Sequence, residues 1–255
     1  MASRFRLPDA AAAVAGITLF AAVARGQEAV PACSPSNVRV VTGAPYSALG
    51  TSETVTTLPD GNRIVRQNTI RQWRDSDGRT RAEYSLSSIG GPTPLEVNST
   101  VTVIDDPAAR ERYMLQPGAK VALTMPIVPC RNGAASLEPD ISVGPPRPAH
   151  LPLKMSPRVK LGERKLDGET VAGSRIEATI PAGAIGNEQP IRMSAEQWYG
   201  KDLQVVVEAT YQDPRTGETK YKLSDIDRAE PDAKLFKVPD DYSKQPAPAS
   251  ARKRR

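Results

Sequence analysis

The run Ile191-Arg192-Met193-Ser194-Ala195-Glu196-Gln197-Trp198-Tyr199, continued by Leu203 to Tyr211, carries the strongest β-pattern in the chain. A turn at Asp213-Pro214-Arg215-Thr216-Gly217 sends it back through Glu218 to Arg228. Pro231 to Tyr242 follows, with Leu235, Phe236, Val238 and Tyr242 as apolar plugs. Apolar and polar residues alternating at period two mark half-buried strands rather than helix. The stretch therefore reads as the closing wall of a curved sheet, with Phe236 and Val238 tucked beneath it.

The same grammar extends toward the N-terminus. Ser47 to Leu58 is rich in Thr, Ser and Val, and Pro59-Asp60-Gly61-Asn62 turns it into a second strand over Asn62 to Asp75. Ser76-Asp77-Gly78 turns again, and Arg79 to Leu86 sets Ala82, Tyr84 and Leu86 against Arg81, Glu83 and Ser85. Asp-Gly between alternating runs is a strong hairpin signal, because those residues tolerate the left-handed backbone of tight turns. Strands are also expected over Thr100–Ile104, Arg110–Leu115 and Val121–Met125. After a proline-rich excursion at 126–157 the pattern resumes at Val159–Leu166, turns at Asp167-Gly168 and returns over Glu169–Ile180.

Helix is expected only as a turn at Asp106–Arg112 and a short piece at Pro231–Phe236. The fold class is therefore mainly β: a large curved antiparallel meander, an incomplete β-barrel, with one or two short helices. Such a sheet must curl, or pack on another layer, to bury its apolar face.

Composition sets limits on this core. Of 255 residues 39% are hydrophobic and only 5% aromatic, while 24 are proline and 18 glycine. That balance builds a thin layer rather than a thick globule. The formal charge of +5 comes from the two ends. Setting aside Arg4, Arg6, Arg25, Arg252, Lys253, Arg254, Arg255 and Asp9 leaves 27 basic against 28 acidic residues. A neutral body removes the basis for a nucleic-acid interface.

Residues 1–26 have the shape of a signal peptide: Arg4 and Arg6, an apolar run from Ala10 to Ala24, then small residues at Ala22-Val23-Ala24. The run is shorter than the roughly 20 residues a spanning helix needs. The expected product is a periplasmic or secreted protein. It comprises an N-terminal arm at 27–46, one β domain at 47–242 carrying the insertion 126–157, and a disordered basic tail at 243–255. Cys33 and Cys130 suit an oxidising compartment, where they are candidates for one disulfide, although connectivity does not follow from sequence.

Several segments occur together and in order: Val103-Ile104-Asp105-Asp106-Pro107, Tyr113-Met114-Leu115-Gln116-Pro117, Leu161-Gly162-Glu163-Arg164, Ile180-Pro181-Ala182-Gly183-Ala184-Ile185-Gly186-Asn187, Trp198-Tyr199 and Glu230-Pro231 through Val238-Pro239. From Leu58 to Tyr242 the chain resembles a family of uncharacterised exported proteins from soil bacteria of the acidobacterial type. More distantly it is similar to the LolA/LolB class of periplasmic lipoprotein carriers. That resemblance implies a curved sheet around an apolar cavity holding lipid or lipoprotein acyl chains. The sequence departs from the class in having little helix to act as a lid and few aromatics to line a cavity.

Residues able to do chemistry are few. His150 is the single histidine and lies in the proline-rich segment, with no partner nearby in sequence to orient it as a base. No nucleophile elbow, phosphate loop or zinc pair is present. Asp75-Ser76-Asp77-Gly78 begins like a calcium loop but continues Arg79-Thr80-Arg81, so a plain hairpin turn explains it. Asp105-Asp106 and Asp240-Asp241 flank prolines and read as terminators of strands or helices.

The expectation is a non-enzymatic envelope protein with no catalytic residues, cofactor or metal. Trp73 and Trp198 read first as core. A ligand cavity, where one exists, is expected to be walled by Trp198, Val205, Val207, Tyr211 and Leu223, provided no bulge interrupts the alternation. Two functions stay open: binding of lipid or lipidated protein in the concave face, or a structural, protein-interaction module of the envelope without a cavity. The Arg252–Arg255 cluster is a further candidate for peripheral contact with the envelope.

Overall fold

The computed structural model describes residues 38–85, 100–130 and 152–248. Within them lie β1 (Val38–Arg39), β2 (Tyr46–Thr57), β3 (Arg63–Arg74), β4 (Thr80–Ser85), β5 (Thr100–Asp106), β6 (Glu111–Gln116), β7 (Val121–Pro126) and β8 (Pro129–Cys130). The second half supplies β9 (Lys154–Met155), β10 (Val159–Leu166), β11 (Glu169–Ile180), β12 (Ile191–Gly200), β13 (Val205–Asp213), β14 (Gly217–Asp227) and β15 (Ser243–Pro246). A 3-10 turn at Ala233–Phe236 is the one helix among the described residues. The expected leader at 1–26, Cys33, His150 and the Arg252–Arg255 cluster lie outside the described residues.

The strands read from the alternation are found nearly residue for residue, and their Asp-Gly turns carry the left-handed backbone expected, with φ of 83° at Gly61, 85° at Gly78 and 80° at Gly168. One curved, open sheet collects thirteen strands in the order β10-β11-β12-β13-β14-β2-β3-β4-β5-β6-β7-β15, with β9 beside β11. Two hairpin meanders, β10–β14 and β2–β7, are thus sutured by an antiparallel β14–β2 ladder, in which Tyr221 opposes Ser52 and Leu223 opposes Gly50. This corrects the expectation for Ile191–Asp227. Rather than closing the wall, β12–β14 form part of its middle, because pairing the last strand of one meander with the first of the other removes two exposed edges.

The sheet curls tightly enough for distant strands to touch. The β10–β11 turn reaches the end of β14: Arg228 donates to both carboxylate oxygens of Glu169 at 2.7 and 2.6 Å, and Ile226 N–H donates to Asp167 at 2.9 Å. In a flat sheet β11 and β14 would lie about 14 Å apart. Three register shifts increase the local bend, the first between Lys160 and Gly162 of β10. Val207 is the extra residue between the pairs Trp198↔Glu208 and Tyr199↔Val206. The third, between Ser224 and Asp227, holds Asp225 at φ 54°.

Two apolar clusters result. One unites Tyr46, Ala48, Val171, Trp198, Leu203, Val207 and Leu223. The other unites Ile104, Tyr113, Leu115, Ala122 and Phe236, with Leu235, Val238 and Tyr242 packed on it. The plugs of Pro231–Tyr242 therefore cover β5–β7, not the β12–β14 wall. The tail beyond Tyr242, expected to be disordered, begins with an ordered strand. Residues Ser243–Pro246 pair in parallel with Val121–Thr124, and Lys120 binds Asp241 at 2.9 Å. Backbone pairing onto the free edge of β7 supplies order that the polar side chains do not advertise.

Phe236 is 3% exposed, and the Arg79 guanidinium lies 5.4 Å from its ring centre. Phe236→Ala is expected to cost about 3–5 kcal/mol through the cavity it leaves. Urea unfolding followed by tryptophan fluorescence measures this directly.

Candidate functional site

The ladders define which side chains share a side of the sheet. One row runs Ser174, Gln197, Ala209, Tyr221, Ser52, Asn68 across six strands, and the next runs Ile176, Ala195, Tyr211, Thr219, Thr54, Arg66. Half of these residues are small, and Ser52, Ser174, Gln197, Ala209 and Thr219 on this side are all buried. Tyr46, Gln72 and Tyr221 form a hydrogen-bonded chain there: the Tyr46 hydroxyl donates to Gln72 at 3.3 Å, and Gln72 donates to the Tyr221 hydroxyl at 3.0 Å. Burial raises the Tyr221 phenol far above its ordinary value, with Tyr46 adding to the effect and the Gln72 bond opposing it. The phenol stays neutral at any physiological pH.

Gln197 is the anomaly of this side. It is 3% exposed, yet neither its Oε1 nor its Nε2 has a hydrogen-bond partner among the described residues. A buried amide left unsatisfied costs roughly 1–3 kcal/mol for each stranded group, so such a residue calls for an explanation. Its complement is a group that donates and accepts together.

The opposite side is charged and grooved. A groove of about 580 Å³ crosses the middle strands between Glu53, Gln67, Glu208, Lys220 and Lys222. A larger one of about 700 Å³ lies at the β13–β14 turn, between Arg63, Glu177, Arg192, Arg215 and Glu218. At the turn, Arg215 grips Asp213 through both carboxylate oxygens, at 3.0 and 2.6 Å. Burial pushes the Asp213 carboxyl up, but hydrogen bonds from Arg215 outweigh it and hold the group below its ordinary value.

The five residues expected to wall a cavity are divided by the Val207 bulge. Trp198 opposes Glu208, placing it on the charged side, whereas Tyr211 opposes Ala195 and Thr219 on the small-residue side. Trp198, Val207 and Leu223 nevertheless meet in one buried cluster with Val205 packed against it, and Tyr211 stands apart, its hydroxyl 3.3 Å from Asp213. None of these five lines either groove.

Trp198 lies across Gly173, with the Arg164 guanidinium 3.8 Å from its ring centre and its indole N–H donating to Glu196 at 3.0 Å. A Cβ on Gly173 would stand 2.6 Å from the ring, so the glycine is the seat of the tryptophan. Sequence reasoning passed over Gly173, Arg164 and Gln197. A glycine inside a strand pattern was the available signal for the first, whereas nothing in the sequence distinguishes Gln197 from a solvated glutamine.

Buried carboxylates are committed to arginine. Asp75 is held by Arg79, Asp105 by both donors of Arg112, and Glu169 by Arg228. Asp75 also accepts from the Arg79 backbone N–H at 2.8 Å, as in an ordinary hairpin turn, and Asp106 caps the next turn through Ala108 and Ala109. Among the described residues no group of three or more His, Cys, Asp or Glu is arranged to hold a metal. Nor is any described helix long and apolar enough to cross a membrane, which leaves β-barrel insertion unaddressed.

Neither the protein-family models nor the curated proteins include a match to this sequence. Solved structures do match in shape. MucB in the Pseudomonas aeruginosa MucA/MucB complex is 13% identical, covering 78% of this chain and 57% of that one, with a TM-score of 0.37. The chain thus spans little more than half of MucB. A LolA superfamily protein from Nitrosomonas europaea is 10% identical, covering 80% and 94%, at a TM-score of 0.33. LprF from Mycobacterium bovis is 12% identical, covering 79% and 91%, at 0.35.

Three outcomes follow from this geometry. Gln197→Met, similar in volume and free of stranded polar atoms, is expected to raise Tm by about 2–4 °C, corresponding to roughly 1 kcal/mol; a lower Tm in calorimetry would mean that the amide is satisfied in solution. Gly173→Ala is expected to destabilise by about 1–3 kcal/mol by displacing Trp198, read as a shift in indole fluorescence and urea midpoint. The Asp213 carboxyl, lowered in the folded state, contributes stability that is full above the unfolded carboxylate value of about 4 and is lost as pH falls through the folded value. Arg215→Gln should therefore move acid unfolding to higher pH and cost about 3 kcal/mol at pH 7, the low end for a buried pair because Arg215 is partly exposed.

Proposed function

We propose that this chain is a non-enzymatic, exported envelope protein that holds the acyl portion of a lipid or lipidated protein against the small-residue side of its curled sheet. The observation that carries this reading is the Gln197 amide, stranded in a wall of Ser174, Ala209 and Ser52. The carbonyl and N–H of an amide-linked acyl chain complement both of its atoms, while the chain itself suits the neighbouring Ile176, Ala178 and Ile180. Export is supported by the basic, then apolar, N-terminal sequence. The absence of a catalytic role is supported by the buried carboxylates, each taken up by an arginine rather than left poised as an acid or base.

A second reading, a protein-interaction module, is favoured by a different observation. Both grooves are walled by charged side chains of both signs, and the two apolar clusters are filled by the protein's own residues. Protein purified from an envelope fraction and analysed by native mass spectrometry and solvent extraction separates the two. The acyl-binding reading expects a stoichiometric amphiphile, reduced in Gln197→Met without loss of fold. No copurifying lipid together with no uptake of a hydrophobic dye would leave the interaction module standing.

A further inference from the structure

The smaller groove and the stranded amide belong to the body of the sheet. One feature lies at its rim. Six large hydrophobic side chains among the described residues are exposed, and four of them, Ile64, Val65, Met155 and Ile185, occur at the same end of the strands. The register places them together. Met155 opposes Ala178, which opposes Met193; across the sheet, Asp213 opposes Gly217 and Thr56 opposes Ile64. From β9 to β3 this row of strand ends spans about 30 Å at the usual strand spacing.

The turns at this rim are ordered by their own hydrogen bonds. Asn187 fixes the loop between β11 and β12, donating to the Pro181 and Gln189 carbonyls at 2.9 and 2.7 Å and accepting from the Ile185 N–H at 3.1 Å. The β2–β3 turn is closed by Leu58 N–H on the Asn62 carbonyl at 2.7 Å and Asn62 N–H on Asp60 at 2.9 Å. Ile185 from a built turn, and Ile64, Val65 and Met155 from strand ends at the same rim, thus meet water at the expense of hydration.

Charges frame these side chains. Arg63, Arg66, Lys154 and Arg192 stand exposed around the rim and form no ion pair among those described. The acidic residues there are Asp60, Glu177, Glu188, Asp213 and Glu218, but Asp213 is occupied by Arg215 and Glu218 by Lys220 at 2.7 Å. Two of the exposed cations, Arg63 and Arg192, flank the 700 Å³ groove that opens at this end, where Arg63 also helps hold the Glu218 carboxyl below its ordinary value.

We infer that this rim docks on an anionic lipid surface, with Ile64, Val65, Met155 and Ile185 entering the interface and Arg63 and Arg192 on the headgroup phosphates. Shallow apolar insertion flanked by arginines is the arrangement by which proteins lie on a membrane without spanning it. The docking stands independently of what the sheet itself holds, since it uses the strand ends and none of the Gln197 wall.

Vesicle co-sedimentation tests it, using phosphatidylglycerol–phosphatidylcholine vesicles against pure phosphatidylcholine. Binding is expected on the anionic vesicles, weakened by salt. Ile64→Asp with Val65→Asp is expected to lower it about tenfold, Ile185→Asp to lower it separately, and Arg63→Gln and Arg192→Gln to lower it about fivefold each. All these positions are exposed, and an unchanged melting curve verifies the fold of each variant. The inference is overturned if the full chain ignores anionic vesicles, or if the rim variants bind like the parent. It is also overturned if binding vanishes only on removing Arg252–Arg255, or if the rim variants instead abolish self-association in sedimentation velocity. Ligand extraction from the same preparations reads the acyl-binding function apart from docking, so either can fail alone.

Discussion

The β14–β2 ladder is the constraint on which the rest of the structure depends. Each meander, taken alone, is a sheet with two open edges and a face it cannot cover. Joining Glu218–Ser224 to Leu49–Val55 converts two marginal sheets into one surface wide enough to curl. The curl then brings Glu169 to Arg228 and Val171 into one cluster with Leu223, contacts between strands that a flat sheet would hold far apart. Arg74 ties the same region from the other side. Buried at 5% exposure, it donates to the carbonyls of Ala44 and Leu203 and lies over the Tyr46 ring, so the arm, β3 and the β12–β13 turn are fixed by one side chain. Its burial lowers the guanidinium's proton affinity, and the neighbouring Tyr46 works against that.

Local order was legible in the sequence because local physics produces it. Asp60-Gly61, Asp77-Gly78 and Asp167-Gly168 set turns by backbone geometry alone, and the strands between them follow from alternation. What was not legible depends on contacts distant along the chain. Nothing in Thr51 or Lys222 announces that they oppose one another across 171 residues. The pairing of Ser243–Pro246 with β7 is equally silent, since a backbone ladder has no side-chain signature. The Val207 bulge has a stronger consequence: a single extra residue moved Trp198 and Tyr211 to opposite sides of the sheet, dividing the set that uninterrupted alternation groups together.

The two sides then acquire different characters for a physical reason. Where a sheet curls, one side is compressed, and small side chains are what such a side accommodates. Ala195, Ala209, Ser52 and Gly50 occupy those positions, and at Gly50 even a Cβ would stand 3.0 Å from the Tyr221 hydroxyl. Polar groups there are satisfied by one another, as Tyr46, Gln72 and Tyr221 are. Gln197 breaks the pattern. A stranded amide in an otherwise satisfied wall concentrates attention on one position, and it is a position that no alternation rule would have singled out.

Arginine is the recurring partner wherever the described residues bury a carboxylate: Arg79 on Asp75, Arg112 on Asp105, Arg215 on Asp213 and Arg228 on Glu169. Its planar fork matches a carboxylate with two donors, so a thin sheet with few aromatics secures its turns by paired hydrogen bonds rather than by bulk. That use explains a division along the strands. Arginines facing a carboxylate are consumed by structure, and their partners are thereby withdrawn from acid–base chemistry. Arg63 and Arg192, at the rim beside exposed Ile64 and Val65, share a groove with Glu177 and Glu218 without a close ion pair to either among the described residues. The residue type that holds the fold together is there presented to solvent along a groove rather than locked onto one carboxylate.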